Sequence, residues 1–273
     1  MDVPGERPRV AIIIPARFAS TRYPGKPLAM LRGATGVERS LVERSWQAAM
    51  RVEGVVQVVI ATDDDRIRSA ASAFGAEVIM TSPDCRNGTE RCAEAIARLK
   101  EPFDIVVNLQ GDAPLTPPDV IPALVARLAA DPTVMVVTPA VRCSQGLYAH
   151  LTSDQAAGRV GGTTVVFGRD GNALYFSKRV IPYLPPDYQP VGDIPVWQHL
   201  GVYAYRPAAL AHYQAAPPAQ IELFEGLEQL RFLDAGVPVA IVEVPQPRWD
   251  MIELNNPSDI APIEAVLKAS GIG

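Results

Sequence analysis

Five short apolar runs set the strongest limit on what this chain can become. They read RVAIIIPA, VQVVIAT, AEVIM, DIVVNLQ and VMVVTPAV, and all fall within the first 141 residues. Each is continuous rather than alternating, the pattern of a strand buried on both faces. The segments between them carry helical spacing. GVERSLVERSWQAAMRV is one. DDRIRSAASAFG opens on acids and ends on Gly75, and GTERCAEAIARLK is a third. In the loop GDAPLTPPD, Pro118 and Asp119 mark another helix start. Strand alternating with helix at this rhythm predicts an α/β fold with a mostly parallel sheet and helices on both faces.

Beyond about residue 145 the rhythm changes. GGTTVVFG, NALYFSK and VWQHLGVYAYR read as strands with no helices between them, and IPYLPPDYQPVGDIP reads as a proline-rich surface insertion. IELFEGLEQLRFLDAG reads as one helix closed by Gly236, PVAIVEV as a strand and NPSDIAPIEAVLKASG as a final helix. The expectation is a single domain over 1–273 whose second half carries a small antiparallel subdomain at 145–215.

Composition removes several function classes. A net charge of −5 argues against nucleic-acid binding, which needs a basic surface. No stretch reaches the roughly 18 apolar residues of a membrane helix. The opening MDVPGERPRV lacks the apolar segment of a signal peptide, so a cytoplasmic protein without a membrane partner is expected. Cys85, Cys92 and Cys143 fit no zinc spacing and read as incidental thiols.

In an open parallel sheet, ligands collect beyond the carboxyl ends of the strands. The loop after the first strand lies there. It carries neither the G-x-G-x-x-G of a dinucleotide site nor a Walker loop, since Gly25 and Lys26 are followed by Pro27. A nicotinamide oxidoreductase is therefore disfavoured. What the loop has is Arg17, Arg22 and Lys26 among three prolines and Gly25. Two guanidinium forks and one ammonium suit a polyphosphate. Asp112, in a Gly-Asp turn after the fourth strand, suits Mg²⁺, which takes one or two carboxylates plus substrate phosphates.

These motifs resemble a known family. Pro15-Ala-Arg17, Ser20-Thr21-Arg22 and Pro24-Gly25-Lys26-Pro27 are similar to the signature of sugar-activating cytidylyltransferases. So are Gly88-Thr89-Glu90-Arg91, Gln110-Gly111-Asp112, His199-Leu200-Gly201-x-Tyr203 and Leu227-Glu228-Gln229-Leu230-Arg231. The nearest pattern is that of the 3-deoxy-manno-octulosonate (Kdo) cytidylyltransferases. The resemblance implies a Rossmann-like nucleotidyltransferase that uses CTP and Mg²⁺, transfers CMP to a small acidic acceptor and releases pyrophosphate. It implies catalytic roles for Arg17, Lys26 and Asp112. Nucleotide contacts would come from Pro15, Ala16, Arg17, Arg22, Lys26, Thr62, Asn87, Gly88, Thr89, Arg91 and Gln110. Acceptor contacts would come from Lys178, His199, Tyr203, Glu228 and Gln229, and metal ligation from Asp112 and Asn255. A homodimer through 145–215 is also implied.

Four departures from the family pattern stand out. Ala113 replaces a glutamate. Asn255 stands where a second metal aspartate is expected, with Glu253 nearby as a possible substitute. Lys178 replaces an arginine, and Gly161 to Thr164 lose a cation. The departures fall on the metal and acceptor sides, so the acceptor is expected to be either a Kdo-type sugar acid or a phosphonate-type acid such as phosphonoformate. A catalytically degenerate member that binds CTP without turnover is the alternative. Glu228 and Arg231 also admit a simpler reading, as i, i+3 partners on one helix surface.

Overall fold

A computed structural model describes residues 7–19, 23–111, 114–117, 119–185, 187–188, 194–247, 249, 252–254 and 256–273. The five apolar runs form β1 (Val10–Ala16), β4 (Val55–Thr62), β5 (Glu77–Met80), β6 (Ile105–Leu109) and β7 (Val136–Arg142). A short hairpin, β2 (Met30–Arg32) with β3 (Glu38–Ser40), stands apart as its own antiparallel pair. The second half adds β8 (Thr163–Phe167), β9 (Ala173–Ser177), β10 (Trp197–His199), β11 (Val202–Tyr205) and β12 (Val239–Val244). One ten-stranded sheet runs β5-β4-β1-β6-β11-β7-β10-β8-β9, with β12 on β7. The pairs β5·β4, β4·β1, β1·β6 and β7·β12 are parallel. The expected antiparallel strands are present, and they extend this sheet rather than forming a separate one.

Helices cover both faces. They are α1 (Leu41–Met50), α2 (Asp65–Ala73), α3 (Gly88–Arg98), α4 (Val120–Ala130), α5 (Gln145–Ala156), α6 (Pro207–Ala215), α7 (Gln220–Glu225), α8 (Leu230–Asp234) and α9 (Ile260–Ala269). Side chains along a strand alternate between faces. Ile12 and Ile14 of β1 accordingly join Val42, Ile67 and Leu124 on one side, while Ile13 joins Cys92, Leu210 and Phe232 on the other. Among the described residues no helix is long and apolar enough to cross a membrane.

Three local readings change. The helical spacing before Trp46 begins as strand β3, because Ser40 caps α1 by accepting from Glu43 N. α5 and α6 carry no strong amphipathic pattern and went unassigned; Ser144 caps the first, and Pro207 opens the second. The single helix expected over IELFEGLEQLRFLDAG is two, because Gly226 adopts φ +61° and ends α7.

The sheet also forks. β10 and β11 both pair with β7, but His199 faces Ala140 while Ala204 faces Val137, so extra chain bulges out at Leu200 and Gly201. On the other flank, β6 lies beside β11 and β8 beside β10. The carboxyl end of β6 and the start of β8 therefore part at Gly201. Any side chain at Gly226 would meet Lys178 Nζ at 2.8 Å in a left-handed backbone. Gly226→Ala should therefore lower stability by about 1–2 kcal/mol, read as a shifted urea midpoint at unchanged slope.

Candidate active site

The loop after β1 is drawn into a tight neck. Gly25 N donates to Phe18 O at 2.9 Å, and Gly25 needs its φ of +73° and its missing side chain, since a Cβ would lie 2.9 Å from the Phe18 ring. The Arg66 guanidinium covers that ring at 3.3 Å. Pro15 and Ala16 end β1, Arg17 emerges exposed and reaches Arg86 O at 3.5 Å, and Lys26 begins a single 3-10 turn. Arg17 and Lys26 thus flank the same neck. Arg22 lies outside the described residues.

Opposite the loop stands the start of α3. Asn87 caps it, accepting from Glu90 N at 2.8 Å and donating to Tyr213 OH at 2.9 Å. Gly88 lies directly over the end of β6, where a Cβ would come within 2.8 Å of Gln110 Nε2 and 3.2 Å of Asn108 Nδ2. Thr89 N donates to the Glu228 carboxylate at 2.8 Å, Gln110 Nε2 donates to it at 3.1 Å, and Thr89 Oγ1 shares a hydrogen bond with Tyr205 OH. Burial raises the Glu228 pKa, and the hydrogen bonds from Thr89 hold it back. Arg231 N donates to Glu228 O at 3.2 Å, but the Arg231 guanidinium pairs with other carboxylates. Arg231 forks onto Glu222 at 2.6 and 2.7 Å, reaches Glu90 at 2.8 Å and lies 4.0 Å over the Tyr213 ring.

Two candidates serve the framework directly. Thr62 is fully buried, and its hydroxyl accepts from Asp64 N. Arg91 is buried between Asp63, at 3.2 Å, and the Thr81 hydroxyl.

The break between α7 and α8 delivers Glu228 and Gln229 to the fork. Rings run in file from Phe176 through His199, Tyr203 and Tyr205 to Phe232, with neighbouring centroids 5.0–5.8 Å apart. His199 and Tyr203 share a face as strand spacing suggested, although a bulge separates them. Tyr203 OH donates to Gln229 Oε1 at 3.0 Å. Gln229 Nε2 and both amide atoms of Asn108, directly across the strand pair from Tyr203, are buried with no hydrogen-bond partner. Buried orphans of this kind mark a place for water or ligand atoms. Lys178 donates its N–H to Glu225 and holds its ammonium beside Gly226.

Asp112 and Asn255 lie outside the described residues. Among the described ones no cluster of three His, Cys, Asp or Glu side chains could hold a metal. The Glu253 carboxylate does lie 4.0 Å from the Cβ position of Gly201, whose other neighbour is Gln110. It therefore faces the strand end from which Asp112 follows. A carboxylate oxygen is the donor type that Mg²⁺ takes, so Glu253 fits that ion in kind.

Sequence reasoning missed Glu222, Glu225, Asn108 and Thr138. A buried carboxylate at an i, i+9 distance from its arginine has no local signature. Asn108, a lone amide in an apolar strand, was the one available signal. Of the thiols, Cys92 and Cys143 are buried, and burial pushes Cys85 up to about 12, so none is poised as a nucleophile.

A cationic loop, a capped helix start and a polar fork at the strand ends define a nucleotide-handling α/β enzyme. Residues 11–241 match the family profile described as Cytidylyltransferase. The chain belongs to the cytidylyltransferase family of nucleotidyltransferases. It is 44% identical over 96% of its length to the 3-deoxy-manno-octulosonate cytidylyltransferase of Maricaulis maris, covering 98% of that protein. It is 38% identical over 93% of its length to the enzyme of that name from Chlamydia abortus, covering 92% of it. A solved structure of CMP:2-keto-3-deoxy-manno-octonic acid synthetase complexed with CTP superposes with a TM-score of 0.81 at 32% identity, over 96% of this chain and 99% of that one.

Burial pushes the His199 pKa down from 6.5 to about 3. The unfolded chain therefore binds a proton below pH 6.5 that the folded chain refuses until about 3. His199 contributes no pH dependence above 6.5, and stability falls as pH drops through that window. Urea titrations from pH 7 to 4.5 should show a shallower decline in His199→Phe than in the wild type.

Proposed function

We propose that this enzyme transfers CMP from CTP to a Kdo-type sugar acid. The observation that carries the reading is the fork at Gly201. It sets the polar wall of His199, Tyr203, Glu228 and Gln229 directly beside Gln110 and the start of α3, within the nucleotide half of the site. The reported relatives, named for Kdo, favour a sugar acid over phosphonoformate.

In this reading Arg17, Arg22 and Lys26 hold the triphosphate, and Gly88 and Thr89 approach the base with main chain only. An acceptor hydroxyl oxygen bonds to the α-phosphorus, the bond from that phosphorus to the bridging oxygen breaks, pyrophosphate leaves, and the hydroxyl proton passes to solvent. Asp112, with Glu253 or Asn255, would hold Mg²⁺, which supplies charge neutralisation at the α-phosphate. Lys178 receives the acid end of the acceptor. Its ammonium is a point charge without the two-pronged fork of an arginine, and its backbone N–H is held by Glu225. We also propose a cytoplasmic homodimer through 145–215. Among the described residues β9 is an end strand of the sheet, and its Leu174 is 67% exposed.

Pyrophosphate release from CTP and Mg²⁺ should occur with Kdo and not with phosphonoformate; the reverse result would refute the acceptor. Asp112→Ala should abolish it. Asn255→Asp should lower the Mg²⁺ concentration giving half-maximal rate, and an unchanged value would show that another residue already supplies the second carboxylate.

A further inference from the structure

Thr138 lies within β7, fully buried, and its hydroxyl oxygen has three polar neighbours. Val202 O is at 2.8 Å, Leu200 O at 3.4 Å and His199 Nε2 at 2.8 Å. A threonine hydroxyl carries one proton. Two oxygens 2.8 Å apart repel unless a proton lies between them, so the proton is committed to Val202 O. Toward the imidazole the hydroxyl can then only accept, and Nε2 must be the donor.

The ring is also neutral. It is 7% exposed, packed between Phe176 and Tyr203, and burial disfavours the cation. A neutral imidazole with its hydrogen on Nε2 presents a bare lone pair at Nδ1. Nδ1 has no hydrogen-bond partner among the described residues.

We infer that Thr138 is a positioning residue for the acceptor site. By holding His199 in the Nε2–H form it makes Nδ1 an obligate hydrogen-bond acceptor, so the substrate group that meets His199 is a hydroxyl. This rests on the proposed role of His199 in acceptor binding. A carboxylate or phosphonate oxygen at Nδ1 would set lone pair against lone pair. Phosphonoformate, ionised at pH 8, has no proton to offer there, whereas a polyhydroxy acid has several. The acid group is thereby directed away from His199, toward the Lys178 side of the fork. Specificity of this kind is strong, because a polar group left unpaired in a buried site costs more than a missing apolar contact.

The test uses the whole enzyme. Two-bond ¹H–¹⁵N spectra of histidine-labelled wild type should show His199 as the Nε2–H tautomer, and added Kdo should shift its Nδ1 resonance. Thr138→Val, which keeps the shape and removes the oxygen, should give a mixed or inverted tautomer. It should raise the KM for Kdo by about tenfold, the loss of one hydrogen bond, with the KM for CTP within twofold. Thr138→Ser should restore both. A wild-type ring bearing its hydrogen on Nδ1 would overturn the inference. So would Thr138→Val with an unaltered tautomer, or with equal losses for Kdo and CTP. Failure of the acceptor reading itself shows separately, as no turnover of wild type with CTP and Kdo, and the tautomer measured in the free enzyme still decides the lock.

Discussion

The Glu228 carboxylate joins the three parts of this site. One oxygen accepts from the main chain of Thr89 at the start of α3, and the other accepts from Gln110 at the end of β6. Glu228 itself comes from the break between α7 and α8. A negative charge at a helix start is favourable, because the first N–H groups have no partners within the helix. Here that interaction does more than cap. It fixes the distance between α3 and β6 on one side and Gln229 with the ring file on the other.

Around this joint the polar groups are paired in depth. Arg231 ties Glu222 to Glu90, Glu222 receives Tyr213 and Asn87, and Asn87 caps α3. Buried ion pairs of this kind add little net stability, because desolvation offsets their attraction, but removing one partner strands the other. Their effect is to hold one geometry. Arg39 Nη1, Arg44 Nε and Asp63 Oδ1 are buried without a hydrogen-bond partner elsewhere, but the fork gathers several such atoms in one place: both amide atoms of Asn108 and Gln229 Nε2, with His199 Nδ1 beside them.

Much of the fold was legible in the chain. The continuous apolar runs became the parallel strands, and the acids opening DDRIRSAASAFG mark a helix start that Asp64 caps. The helix over 221–236 was misread because its periodicity continues through Gly226, and only the left-handed backbone there shows the break. α5 went unseen because it has almost no amphipathic face. Among site residues, the loop motif and His199 with Tyr203 were readable as local patterns. The partners of Glu228 and Arg231 were not, since their i, i+3 spacing suggested each other.

The sequence by itself determined the alternating α/β order, the cationic loop after β1 and the membership in a nucleotidyltransferase family. All of these are written in neighbouring residues, through periodicity, turn chemistry and short ordered motifs. Only the tertiary structure decided how the sites meet. Thr89 and Glu228 are 139 positions apart, and Thr138 and His199 are 61 apart. The direction of the hydrogen bond between Thr138 and His199 depends on a third group, Val202 O, placed by the bulge at the fork. Such facts follow from packing a sheet whose strands part at Gly201, because hydrogen-bond direction is set by all the neighbours an atom has in space and not by its neighbours along the chain.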